Sequence, residues 1–173
     1  AAFIFAVQTT AKQTLNWRPL FGFVMAGVFT GTLAQWSPEI MGLSYDALSR
    51  IFANELMLPT MLLLLFAKLI ATAVSVGVRL PGGLIGPSLV MGGALGGSIE
   101  LMIFDWFPDY VGSAGFYAMI GMVAMMGAIL RAPLAALVAL MELTGNLNII
   151  LPGMIAVVSA EIATRALIGD VSA

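Results

Sequence analysis

Residues 80–99 read Leu-Pro-Gly-Gly-Leu-Ile-Gly-Pro-Ser-Leu-Val-Met-Gly-Gly-Ala-Leu-Gly-Gly-Ser-Ile, and they decide how the rest of the chain is read. The stretch holds no charge, yet Pro81, Gly82, Gly83, Gly86 and Pro87 cluster at its start. Small residues then recur every fourth place at Ser88, Gly92 and Gly96, with Gly93 and Gly97 beside them. A glycine-rich break beside an apolar helix is costly in lipid, where freed backbone N–H groups find no water; it is tolerated where the backbone lines a cavity. A helix that starts in such a cavity presents free N–H groups and a partial positive charge, which suit an anion.

Composition places the stretch in a membrane. Hydrophobic residues make up 61% of the 173 and charged residues 9%, with a mean hydropathy of +1.05. A soluble domain is about 45–50% apolar and about 25% charged. The net charge of −2 and the lack of a basic run argue against nucleic acid as a partner. With no cysteine and no histidine, disulfides, Cys/His metal sites and histidine catalysis are excluded. The chain opens without Met inside an apolar segment and shows no signal peptide, so a piece of a longer membrane protein is expected.

Charge-poor windows mark about seven helices. They are Ala1–Ala11, Pro19–Pro38, Leu56–Val78, Pro87 to about Leu101, Ala114–Leu130, Pro133–Leu143 and Leu151–Leu167. Asn16-Trp17-Arg18, Ser37-Pro38-Glu39 and Thr144–Asn148 read as polar breaks, and Asp105–Tyr110 as an interfacial turn with aromatic anchors. The short amphipathic piece Ser44–Phe52 suits an interfacial helix better than a span. Several windows fall short of the ~20 residues a bilayer crossing needs. Short helices joined at glycine and proline breaks are a transporter or channel pattern.

Two readings of Gly82–Pro87 stand side by side: a tight turn without a ligand, or an anion site formed by the N–H groups of Leu84 and Ile85 ahead of a helix. The small-residue ladder at Ser88, Gly92 and Gly96 predicts close helix packing. Lys68 lies deep in an apolar window and needs a partner or a route to water. It belongs either to a pathway or to a snorkelling side chain. Glu142 is expected to bond nearby helix-end N–H groups, and a proton relay is the competing role for Glu142 and Glu161. Arg131, ahead of Pro133, marks an interface or a capped helix end. No catalytic set stands out.

At these residues the chain resembles the CLC family of chloride channels and chloride/proton antiporters. Gly83-Leu84-Ile85-Gly86-Pro87 is similar to the family's Gly-x-Phe-x-Pro element. The match continues through Gly121-Met122, Arg131-Ala132-Pro133-Leu134, Met141-Glu142-Leu143-Thr144-Gly145-Asn146 and Ile150-Leu151-Pro152, in the family's order and spacing. The resemblance implies an all-α membrane protein of tilted and broken helices, with residues 1–173 as the second of two inverted-topology repeats. It implies anion transport, by a channel or a proton-coupled antiporter, in a multi-pass protein of a bacterial-type inner or plasma membrane. Chloride or a similar anion would meet the backbone N–H groups of Leu84 and Ile85, in a loop shaped by Gly82, Gly83, Gly86 and Pro87. Pro133, Leu134, Leu137 and Ile155 would line a homodimer interface.

The other partners implied are the bilayer and the first repeat of the same protein; no cofactor or metal is. Ile85 departs from the usual Phe, which alters the lining but not a backbone contact. The gating glutamate, the internal proton-accepting glutamate and the coordinating serine and tyrosine are expected outside these residues, so none of those roles falls to Glu142 or Glu161. The alternatives are a secondary carrier for another small anion, or a membrane subunit without a pathway. An enzyme has little support.

Overall fold

The computed structural model describes residues 2–14, 19–36, 41–42, 44–53, 55–106, 115–145 and 147–168, with the backbone alone described at 2–5, 13–14, 19–20, 36, 105 and 168. Every regular element among them is helical: α1 (Ala2–Thr14), α2 (Pro19–Trp36), α3 (Tyr45–Phe52), α4 (Leu58–Gly77), α5 (Ile85–Trp106), α6 (Phe116–Leu130), α7 (Pro133–Thr144) and α8 (Ile150–Ile168). A 3-10 turn, Leu147–Ile149, leads into α8. Among the described residues three stretches are long and apolar enough to cross a membrane: Leu58–Gly77, Ile85–Phe104 and Leu147–Leu167. The breaks at 15–18 and 37–40, Asn146, and 107–110 of the expected interfacial turn lie outside the described residues. Asp105 and Trp106 belong to the last turn of α5.

Prolines set several helix starts. Pro59 and Pro133 occupy the first turns of α4 and α7, where a missing N–H leaves no gap in the ladder. The ends are set by left-handed residues. Gly145, at φ 62°, closes α7 by donating its N–H to the Met141 carbonyl at 2.9 Å. Arg131, at φ 52°, caps α6, and Ala132 follows outside the helical region, as a residue before proline prefers. At the end of α4, Arg79 N–H reaches Val76 O at 2.9 Å and Leu80 N–H reaches Ser75 O at 3.0 Å. That paired pattern is a Schellman cap.

α5 is the hub. It packs on α6, α4 and α3, and most extensively on α6. The small-residue ladder explains the contact with α6: a Cβ added at Gly92 would collide with the Gly121 carbonyl oxygen, and one at Gly96 with the Tyr117 carbonyl oxygen. The two backbones touch directly, which only small residues permit. Leu89, Val90, Met91 and Ala94 fill the surrounding core with Met61, Leu64, Met122 and Val123.

Two expectations need correction. The helix expected from Pro87 to about Leu101 runs for 22 residues, from Ile85 to Trp106, and is a full span. No proline interrupts it after Pro87, and its glycines are held by contacts with α6, α3 and α4. The piece expected to lie in the interface, α3, instead turns its apolar face into the core: Ala47, Leu48 and Ile51 are buried. Leu48 stands over Gly93, and Ile51 over Gly97. The same stripe that suits an interface suits a bed of glycines.

Candidate anion site

The first helical hydrogen bond of α5 runs from Ser88 N–H to the Leu84 carbonyl at 3.0 Å. Leu84 therefore stands just before the helix, with Ile85, Gly86 and Pro87 as its first three residues. The N–H groups of Leu84, Ile85 and Gly86 have no intrahelical acceptor by position. Among the described residues no other acceptor takes them. Pro87 has no N–H to offer. Ser88, fully buried, turns its hydroxyl back to the Ile85 carbonyl at 2.7 Å and so leaves the N–H end clear.

A cleft of about 320 Å³ lies beside this end. Leu80, Pro81, Gly82, Gly83 and Pro87 form one wall; Lys68, Ala71, Thr72, Ser75 and Val76 of α4 form another, with Thr30 and Gly42 at its side. Among the described residues no acidic side chain lines it. Leu84, Ile85 and Gly86 stand just past it, and the Ile85 side chain is half exposed. Gly82 and Gly83 are exposed too, and a Cβ at either would meet nothing within 4 Å. The loop is open on the side away from α4.

Lys68 is 3% exposed. Its ammonium donates to the Gly42 carbonyl and to Ser44 Oγ, each at 2.8 Å. The buried cation thus has the partners that depth in an apolar helix demands. Thr72 and Ser75, which sequence reasoning passed over, share its face of α4. Their signal was present: positions 68, 72 and 75 repeat at helical spacing in an otherwise apolar run.

The remaining charged groups lie elsewhere. Glu142 is exposed on α7 with no hydrogen bond to a described residue, so the expected bonds to helix-end N–H groups do not form within this chain. Its place on the exposed face of α7 leaves the carboxylate outside the helix packing. Glu161 pairs with Arg165 one turn along α8. Glu100, not singled out from the sequence, is 1% exposed and accepts the Gly115 N–H at 3.1 Å, at the start of α6. Of the residues expected at a dimer interface, Leu134 and Ile155 are each 73% exposed. Pro133 is half-buried, and Leu137 leans on Gly153 of α8. No group of residues suited to a metal ion occurs among the described residues.

Residues 1–165 match the family model described as voltage gated chloride channel. The H(+)/Cl(-) exchange transporter ClcA of Cronobacter sakazakii is 30% identical over 157 residues, covering 91% of this chain and 33% of the relative. The protein of the same name from Klebsiella pneumoniae is 30% identical over 150 residues, covering 87% and 32%. The chain thus spans about a third of the length of these relatives. Among solved structures, a slow cyanobacterial Cl-/H+ antiporter superposes with a TM-score of 0.85 at 23% identity, over 97% of this chain and 40% of that one. The fold is therefore that of part of this antiporter, and the match over nearly the whole chain makes it a member of the voltage-gated chloride channel family.

Proposed function

We propose that this chain supplies one half of an anion pathway, in a protein that moves chloride across a bacterial inner membrane by channel or proton-exchange transport. The anion sits before α5, held by the N–H groups of Leu84 and Ile85, with Gly82, Gly83, Gly86 and Pro87 shaping the approach. The observation that carries this reading is the helix end itself: among the described residues, three N–H groups have no acceptor, and the cleft beside them holds a lysine and no acid. The family and the relatives' names support chloride as the anion. The open side of the Gly82–Gly83 loop is where the first repeat would complete the site. The exposed faces of α7 and α8, through Leu134 and Ile155, serve as a homodimer interface.

Chloride efflux from liposomes holding the full-length protein tests the site. Ile85→Pro removes one N–H at a position where proline is well accommodated, the first residue of a helix. A hydrogen bond to a charged group is worth about 1.5–3 kcal/mol, so chloride binding should weaken about tenfold or more while the protein stays folded. Unchanged binding and flux in this variant would remove the anion from the helix end. Competition between chloride and small organic acids in the same assay separates a halide pathway from a carrier for another anion.

A further inference from the structure

Arg79 occupies a backbone conformation that favours glycine. Its φ is 62°, at the left-handed position of the cap that ends α4. Of the three described non-glycine residues with positive φ, Ser44 accepts a bond from Lys68, and Arg131, at the end of α6, is engaged as well. The Arg79 side chain differs: it is exposed and makes no hydrogen bond or ion pair with a described residue. A left-handed, non-glycine residue is strained, and such strain persists where something else is gained. The negative end of the α4 dipole favours a cation there. That benefit is open to any basic residue in the last turn, however, and α4 has none.

The position of Arg79 offers a second gain. It immediately precedes Leu80, the first loop residue lining the cleft, and stands five residues before Leu84. The exposed guanidinium, always charged and with five donors, is therefore carried one residue from the wall of a cleft whose described lining holds no acidic residue. Field lines from one sign of charge beside such a cleft raise the local concentration of the opposite ion.

We infer that Arg79 is a capture residue: its charge draws anions to the cleft mouth and passes them to the end of α5, without being a ligand of the held anion. The inference rests on the anion pathway proposed above. It is tested in the full-length protein by chloride flux as a function of chloride concentration, at low and high ionic strength. Arg79→Gly removes the charge and relieves the strain together, so the thermal midpoint should not fall. The apparent KM for chloride should rise about two- to tenfold at low ionic strength, the effect of one charge within a Debye length. The maximal rate should hold, and the difference should shrink in high salt. Arg79→Asn, neutral but tolerant of the left-handed region, should behave like Arg79→Gly, whereas Arg79→Lys should keep the KM within about twofold of the parent.

An unchanged KM in Arg79→Gly, in a protein that carries chloride, overturns the capture role and leaves the pathway intact. So does a loss of maximal rate with a lowered thermal midpoint, which marks a cap alone. No chloride flux from the unsubstituted protein overturns the pathway, and the capture role with it.

Discussion

Glu100 is the residue whose environment departs furthest from what its type prefers. A carboxylate that is 1% exposed in a membrane-length helix requires donors, and the Gly115 N–H at 3.1 Å is one of them. It also places an oxygen acceptor at the start of α6, where the first N–H groups of the helix lack intrahelical partners. Two variants separate this capping from mere space-filling. Glu100→Gln keeps an oxygen for the Gly115 N–H, while Glu100→Met keeps the bulk and abandons the bond. Leaving a buried donor unmade costs about 1–3 kcal/mol, so thermal unfolding in detergent should rank Met below Gln by that amount. Met at or above Gln would deny Glu100 a capping role. At this scale the sequence was partly legible. Lys68 drew notice because a charge in an apolar window needs a partner, and Gly82–Pro87 because proline and glycine punctuate. Thr72 and Ser75 did not, because neither is costly alone; only their register with Lys68 makes a polar stripe. Glu100 was hidden by distance in sequence: Gly115 lies fifteen residues on, and no local pattern announces that contact. The conformations of Arg79 and Ser44 were equally invisible, since neither residue type prefers positive φ.

Between elements, the seam of α5 and α6 carries the argument. Gly92 faces the Gly121 carbonyl, and Gly121 in turn faces the Gly92 carbonyl, so the pair admits no side chain on either helix. Backbone cannot step aside as a flexible side chain can. Gly92→Ala should therefore cost about 1–3 kcal/mol as overpacking, read as a lowered thermal midpoint of the full-length protein. Gly31, inside α2, is a control of opposite sign: a Cβ there meets nothing within 4 Å. Gly31→Ala should stabilise by about 0.5–1 kcal/mol, because glycine is the poorer residue in a helix interior. Equal effects at the two sites would mean that helix propensity, not the seam, sets the response. The small-residue spacing of this seam was readable in the sequence; its partner was not, since spacing shows that a helix is approached closely but not by which neighbour. The destination of α3 was illegible for a related reason. Its buried face, Ala47, Leu48 and Ile51, has the same stripe whether it meets lipid or protein. Only the glycines opposite, Gly93 and Gly97, decide for protein, and they lie more than forty residues away.

Across the whole molecule, burial grades from α5 outward. Inside the chain 61% of the Ile85–Phe104 span is buried, against 17% of Leu147–Leu167. The last helix thus presents most of its surface to something beyond these residues, and Leu151, Ile155 and Leu167 are each about three-quarters exposed. Exposure cannot say what meets them, because lipid and a second subunit both want apolar side chains. Symmetry can. In a twofold dimer a residue near the axis faces its own copy, and two cysteines bridge only when their Cα atoms approach within about 7 Å. Lipid-facing residues have no such fixed neighbour. These residues contain no cysteine, so one introduced at a time in the full-length protein, with any cysteine elsewhere replaced, is a clean reporter in native membranes. Ile155→Cys should give an oxidised, covalent dimer at protein concentrations where Phe66→Cys does not. Phe66, 58% exposed on α4, has the same apolar character and no place in the proposed interface. A dimer band at both positions would indicate random encounter. None at Ile155, with Leu134→Cys also silent, would give the faces of α7 and α8 to lipid and leave Glu142, exposed on α7, to find its partner in the rest of the same chain.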